Sequence, residues 1–152
     1  MHAKGQHSLP VAPLHDILKK CALCPRRCHV DRTKGEKGFC GLGEKAVIRR
    51  ALAHHGEEPP ISGTRGAGTI FFTSCSLRCL YCQNYQISLQ REGREISDGK
   101  LADIMISLQT SGCHNIEPVT PTPHLSALMA ALSRARAGGL HIPLVYNCGG
   151  YE

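Results

Sequence analysis

The cysteines constrain this chain more than any other feature. Seven of the nine fall in two tight groups, Cys21, Cys24, Cys28 and Cys40, then Cys75, Cys79 and Cys82. The opening stretch MHAKGQHSLPVAPLHDILKK lacks the apolar centre of a secretory signal, so a reducing, cytoplasmic setting is expected. An odd count of thiols in a reducing compartment argues against a disulfide framework and for metal or iron–sulfur ligation.

The second group has the spacing C-x3-C-x2-C and directly follows Thr69–Thr73 (TIFFT), a β-branched and aromatic run that reads as a buried strand. Sites in α/β folds gather at the carboxyl ends of strands. Three thiolates from one loop can each bind one iron of a cubane and leave the fourth iron open to an exogenous molecule. A ferredoxin cluster or a structural zinc site instead takes four protein ligands. The first group meets that requirement: Cys21, Cys24, Cys28 and Cys40 offer four thiolates, with Pro25, Gly35, Gly38 and Gly41 supplying tight turns. Either zinc or a fully ligated second cluster fits, with iron–sulfur slightly favoured. His29 is adjacent to Cys28 and poorly placed to substitute.

The rest of the chain reads as a leader over residues 1–20 with a helical piece near Leu14–Lys20, the cysteine module, and a segment 46–53 that is strand or helix. A Gly- and Pro-rich loop, HHGEEPPISGTRGAG, then marks a boundary. We expect two units: residues 1–62, an N-terminal cysteine-rich module with its linker, and residues 63–152, an α/β unit. In the second unit Leu101, Ile104, Met105 and Leu108 have helical spacing, with Ser97 or Asp98 as cap and Gly112 as stop. Ile116–Val119 is a strand. Leu125, Leu128, Met129 and Leu132 repeat the helical stripe up to Gly138-Gly139, and Ile142–Asn147 is a third strand. This β-α-β-α-β order predicts parallel strands, Met105 and Met129 in the core, and either an open sheet or part of a barrel.

The motif resembles the signature of the radical S-adenosylmethionine (SAM) superfamily, with Tyr81 as its aromatic residue. GTIFFTSCSLRCLYCQN, EEPPISG, CALCPRRCHVDRTKGEKGFCG, VTPTPH and PLVYNCGGYE together resemble an uncharacterised group related to pyruvate formate-lyase activating enzymes. The resemblance runs from about Cys21 to Glu152. It implies a partial (β/α)6 radical SAM barrel, of which this chain would hold the first three βα units and lack the rest. It also implies a [4Fe-4S] cluster on Cys75, Cys79 and Cys82 that reductively cleaves SAM to a 5′-deoxyadenosyl radical. That radical abstracts hydrogen from a substrate, which in activating enzymes is a glycine of a partner protein. A flavodoxin- or ferredoxin-type reductant is implied with it.

Tyr81 then either packs beside the adenosine or fills core space, and Gln83 and Asn84 either approach the cluster or cap the following turn. The superfamily's Gly-Gly-Glu-like segment for the SAM amino group is missing. Thr120 and Thr122 stand in its place, as SAM contacts or helix-start residues, with Asn147 and Gly149-Gly150 as further candidates.

A two-cluster electron-transfer protein without SAM chemistry is the alternative reading, and a zinc-stabilised nucleic-acid module is a third. A formal charge of +6 invites the third, but the basic residues are dispersed and aromatics are few, so no nucleic-acid partner is expected. No stretch approaches the ~20 apolar residues of a membrane span. Cys113 is expected to be buried and inert, Cys148 to lie near the barrel mouth, and His114 and His124 to be surface or structural. The His54-His55-Gly56-Glu57-Glu58 segment is expected to be an ordered linker.

Overall fold

The computed structural model describes residues 12–152; the leader's first residues, 1–11, lie outside it. Its helices are α1 (Ala12–Asp16), α2 (Pro59–Ser62), α3 (Tyr85–Ser88), α4 (Asp98–Thr110) and α5 (Leu125–Ala137). Its strands are β1 (Ala46–His54), β2 (Ala67–Phe72), β3 (Arg94–Ile96) and β4 (Ile116–Val119). Among the described residues no helix is long and apolar enough to cross a membrane.

The strands form one mixed sheet in the order β3-β1-β2-β4. β2 and β4 are parallel, Gly68 facing Ile116 and Phe71 facing Val119, as a helical crossover between them requires. β1 runs antiparallel to both β2 and β3. The undecided segment 46–53 is therefore a strand, and it pairs across the expected boundary with the second unit. The third expected strand is reduced to two parallel bridges, Ile116 with Leu144 and Val119 with Asn147. What results is an α/β fold with an open sheet.

Central β2 is buried along its whole length, which suits a strand whose one polar side chain is Thr69. Side chains alternate across a strand. Ile48, Ile70, Phe72 and Ile116 face α4 and α5 in the main core, together with Leu101, Met105, Leu108 and Leu128. Ser97 caps α4, its hydroxyl accepting the Lys100 N–H at 3.2 Å, and Gly112 follows the helix with φ of 91°. On α5 the buried face is Ala127, Leu128, Ala131 and Ala135, whereas Leu125 and Met129 are half-buried. Met105 is thus core as expected, whereas Met129 is half-buried and stands outside the core, the small side chains of Ala127, Ala131 and Ala135 filling the buried face of α5 instead.

Gly68 permits a similar approach between β2 and the chain entering β4. A Cβ there would lie 2.5 Å from the Asn115 carbonyl oxygen and 3.3 Å from Leu108 Cβ. Backbone cannot swing aside as a side-chain tip can, so Gly68→Ala should cost about 2 kcal/mol, read as a lower urea midpoint with an unchanged slope.

Candidate metal and cofactor site

The chain leaving β2 at its carboxyl end turns into the Cys75–Cys82 loop. Two non-glycine residues here have left-handed backbone, Ser74 (φ 72°) and Arg78 (φ 55°); such strain persists only where surroundings enforce it. The Ser74 N–H donates to the Ile87 carbonyl at 2.8 Å, and the Thr73 hydroxyl to the Glu92 carbonyl at 2.8 Å. The three thiols are half-buried. Two donors address their sulfurs: the Leu77 N–H reaches Cys75 Sγ at 3.4 Å and the Ser88 hydroxyl reaches Cys82 Sγ at 3.2 Å.

Cys21, Cys24, Cys28 and Cys40 are among the residues that line one small cavity of about 20 Å³, whose wall also includes Phe39, Ser76 and Pro123. The Phe39 N–H donates to Cys28 Sγ at 3.3 Å. Burial, augmented by the neighbouring thiols, pushes the Cys24 thiol above its ordinary value, against a hydrogen bond from the Arg26 backbone. His29 lies next to this set with φ of 55° and takes no place in the cavity lining.

The two thiol sets are physically joined. Ser74 Oγ donates to the Cys40 carbonyl at 2.5 Å, and Arg26 Nε donates to the Ser76 carbonyl at 3.0 Å. The Arg26 and Arg78 guanidinium groups lie 3.9 and 4.2 Å from the centre of the Phe39 ring, within cation–π range.

The sheet face opposite the helices is polar. Its strand residues include Arg50, Leu52 and His54 on β1, Thr69 and Phe71 on β2, and Glu117 on β4. Glu117 is fully buried (0% exposed). Its carboxylate accepts from Thr69 Oγ1 at 2.8 Å and from Asn147 Nδ2 at 3.0 Å. Sequence reading missed Glu117; its one signal was an acidic residue at the centre of an apolar strand.

Of the candidate SAM contacts, Asn147 is held by Glu117, and the Thr122 hydroxyl bonds Tyr146 Oη and Glu152 Oε1, each at 2.7 Å. Thr120 has φ of 50°, and its hydroxyl donates to its neighbour's carbonyl, Val119, at 2.8 Å. Tyr81 is 91% exposed beside Leu80 at 98%, so it fills no core space in this chain. The Asn84 side chain makes no cap bond and lines a cavity with Arg49, Arg50 and Phe71. Cys113 is buried and Cys148 exposed. His114 Nε2 accepts the Arg65 N–H at 3.3 Å, and His124 is buried and structural. His54 Nε2 approaches Glu57 Oε1 at 3.8 Å, a weak pair within the linker.

Among the described residues no three His, Cys, Asp or Glu side chains stand close enough together to hold a single metal ion. The donor chemistry of the loop nevertheless suits an iron–sulfur cluster, with three half-buried cysteines on one loop, two of whose sulfurs receive hydrogen bonds.

No family model matches the chain, and no solved structure matches it. It is similar to Uncharacterized protein MJ0674 of Methanocaldococcus jannaschii, at 32% identity over 94% of this chain and 42% of that protein. It is also similar to Uncharacterized protein MJ0808 of the same organism, at 24% identity over 88% of this chain and 44% of that protein. The chain spans less than half the length of these curated relatives.

Proposed function

We propose that this chain belongs to a radical SAM enzyme of the cytoplasm, with Cys75, Cys79 and Cys82 holding a [4Fe-4S] cluster. The observation that carries the reading is a loop with three half-buried thiols, set at the carboxyl end of the central strand. When bound, a cluster held by Cys75, Cys79 and Cys82 would supply the one-electron chemistry for reductive cleavage of SAM.

The chain's own residues bind and tune. The donors from Leu77 and Ser88 draw charge from the Cys75 and Cys82 sulfurs, a lever on reduction potential. Asn147, held by Glu117, and Thr122 offer polar groups for the methionine or ribose part of SAM. A partial (β/α)6 barrel is the finer form of the observed α/β fold in this reading. A flavodoxin- or ferredoxin-type protein supplies the electron, and activation of a partner enzyme through one of its glycines is the role that the sequence resemblance favours.

A second reading, a two-cluster electron carrier without SAM chemistry, is favoured by the hydrogen bond from Ser74, the residue before Cys75, to the Cys40 carbonyl. One experiment separates them. The chain is reconstituted anaerobically with iron and sulfide, reduced with dithionite and mixed with SAM. The radical SAM reading expects 5′-deoxyadenosine and a change in the cluster's paramagnetic spectrum on adding SAM. An unchanged spectrum in a fully reconstituted sample, with no product, favours the carrier.

A further inference from the structure

A cavity of about 540 Å³ opens on the polar side of the sheet, lined by Arg49, Arg50, Phe71, Asn84, Gln86, Ile87 and Glu92. Its volume falls in the range of small-molecule sites. One wall belongs to the thiol loop's own surroundings: Ile87 receives the Ser74 N–H at 2.8 Å, and its neighbour Ser88 bonds Cys82 Sγ at 3.2 Å.

The opposite wall is built by an irregularity. Consecutive strand residues point to opposite faces, so two adjacent arginines should not share a cavity. The β1–β2 register slips between Ile48, opposite Phe72, and Arg50, opposite Phe71, leaving one extra residue on β1. Such a bulge re-aims side chains, and bulges are frequent beside functional sites. Here it brings both guanidinium groups to one opening.

The charges there do not balance. Arg49 pairs with Glu92 at 3.3 Å. None of the ion pairs among the described residues involves Arg50; its guanidinium lies 5.0 Å from the centre of the Phe71 ring. A planar, permanently charged fork resting on an aromatic face is preorganised for a two-pronged grip on carboxylate or phosphate. The Asn84 and Gln86 amides add neutral donors.

We infer that the bulge-built cavity between β1 and the segment after Cys82 binds an oxyanion through Arg50, assisted by Arg49. The ligand class is a small organic acid or phosphate ester. That this ligand is the substrate of the chemistry at the adjacent loop rests on the proposed function; the anion binding itself does not.

The test is calorimetric titration of the chain as isolated, at low ionic strength, without reductant or SAM. The probes are inorganic phosphate and succinate. At least one should bind, and which one does separates phosphate esters from organic acids. Arg50→Gln should weaken binding on the order of tenfold, Arg50→Lys less, and Glu92→Gln should tighten it by removing the competing carboxylate. Arg94→Gln, outside the cavity, should change nothing. Circular dichroism checks that each variant folds. Failure of both probes to bind, wild-type affinity in Arg50→Gln, or an equal loss in Arg94→Gln would overturn the inference. If phosphate binds through Arg50 while SAM leaves the spectrum of a fully reconstituted cluster unchanged and no 5′-deoxyadenosine forms, the radical SAM reading fails and the oxyanion site stands.

Discussion

Serine at Cys75, Cys79 or Cys82 should abolish SAM cleavage and remove one complement of ~4 irons per chain. The loss should exceed the ~100-fold that follows removal of a mere outer-shell partner of a metal. Serine matches cysteine in shape, but its hydroxyl stays protonated near neutrality and is a hard donor, so an iron held by thiolate chemistry leaves. Serine at buried Cys113 or exposed Cys148 should leave iron content and product unchanged. If Cys21, Cys24, Cys28 and Cys40 hold a metal of their own, substitution of Cys28, which lines the other cavity, should remove that metal first. Its effect on the loop should be partial, transmitted through the Ser74–Cys40 hydrogen bond and the Phe39 ring held by Arg26 and Arg78. Iron, zinc and sulfide analysis alongside product assays reads all of these. Zinc alone in the native protein, or iron binding indifferent to all three loop substitutions, would sink the assignment.

The parts of this arrangement that were legible in the sequence are local. α4 was announced by its apolar spacing and by Ser97, whose hydroxyl does cap it. Ile116–Val119 was visible as a strand because its neighbours break the pattern on both sides. What sequence could not reveal depends on pairing over distance. β1 stayed ambiguous because the bulge at Arg49-Arg50 interrupts the two-residue period that identifies a strand. β3 has only three residues, too few to carry a period. The alternative of a continuous third strand after α5 gave way to isolated bridges, and Pro143 in that run has no N–H to donate. Glu117 escaped notice because its partners, Thr69 and Asn147, are 48 and 30 residues away. The cysteine groups were the opposite case, because their close spacing is a local property plain in the sequence, whereas the residues that tie the two loops together, Arg26, Phe39 and Arg78, leave no such pattern.

The other large effect is expected in acid, at His124. Its ring stacks on Phe72 with centroids 4.7 Å apart, and Nε2 donates to the Thr73 carbonyl at 2.8 Å, which assigns the proton to that nitrogen. Nδ1 is buried without a partner. Burial disfavours the charged ring, and Arg32 nearby adds to it against the Thr73 bond, so the pKa falls from 6.5 to about 4. Above pH 6.5 the ring is neutral in both folded and unfolded chains and adds no pH dependence. Between there and about pH 4 the unfolded chain binds a proton that the folded chain refuses. Stability therefore declines on acidification through that window, by a total of about 3 kcal/mol, and this contribution levels off below it. His124→Phe keeps a stacking ring but cannot titrate. It should cost stability near neutrality, where the Thr73 carbonyl loses its donor, yet the gap to the wild type should narrow steadily toward pH 4. Urea unfolding at a series of pH values, with reductant and chelator present, measures this difference and cancels the shared titration of the exposed carboxylates. Parallel curves across the window would mean that the ring takes up its proton as readily in the folded chain as in the unfolded one, and that burial against Thr73 and Phe72 does not hold it neutral.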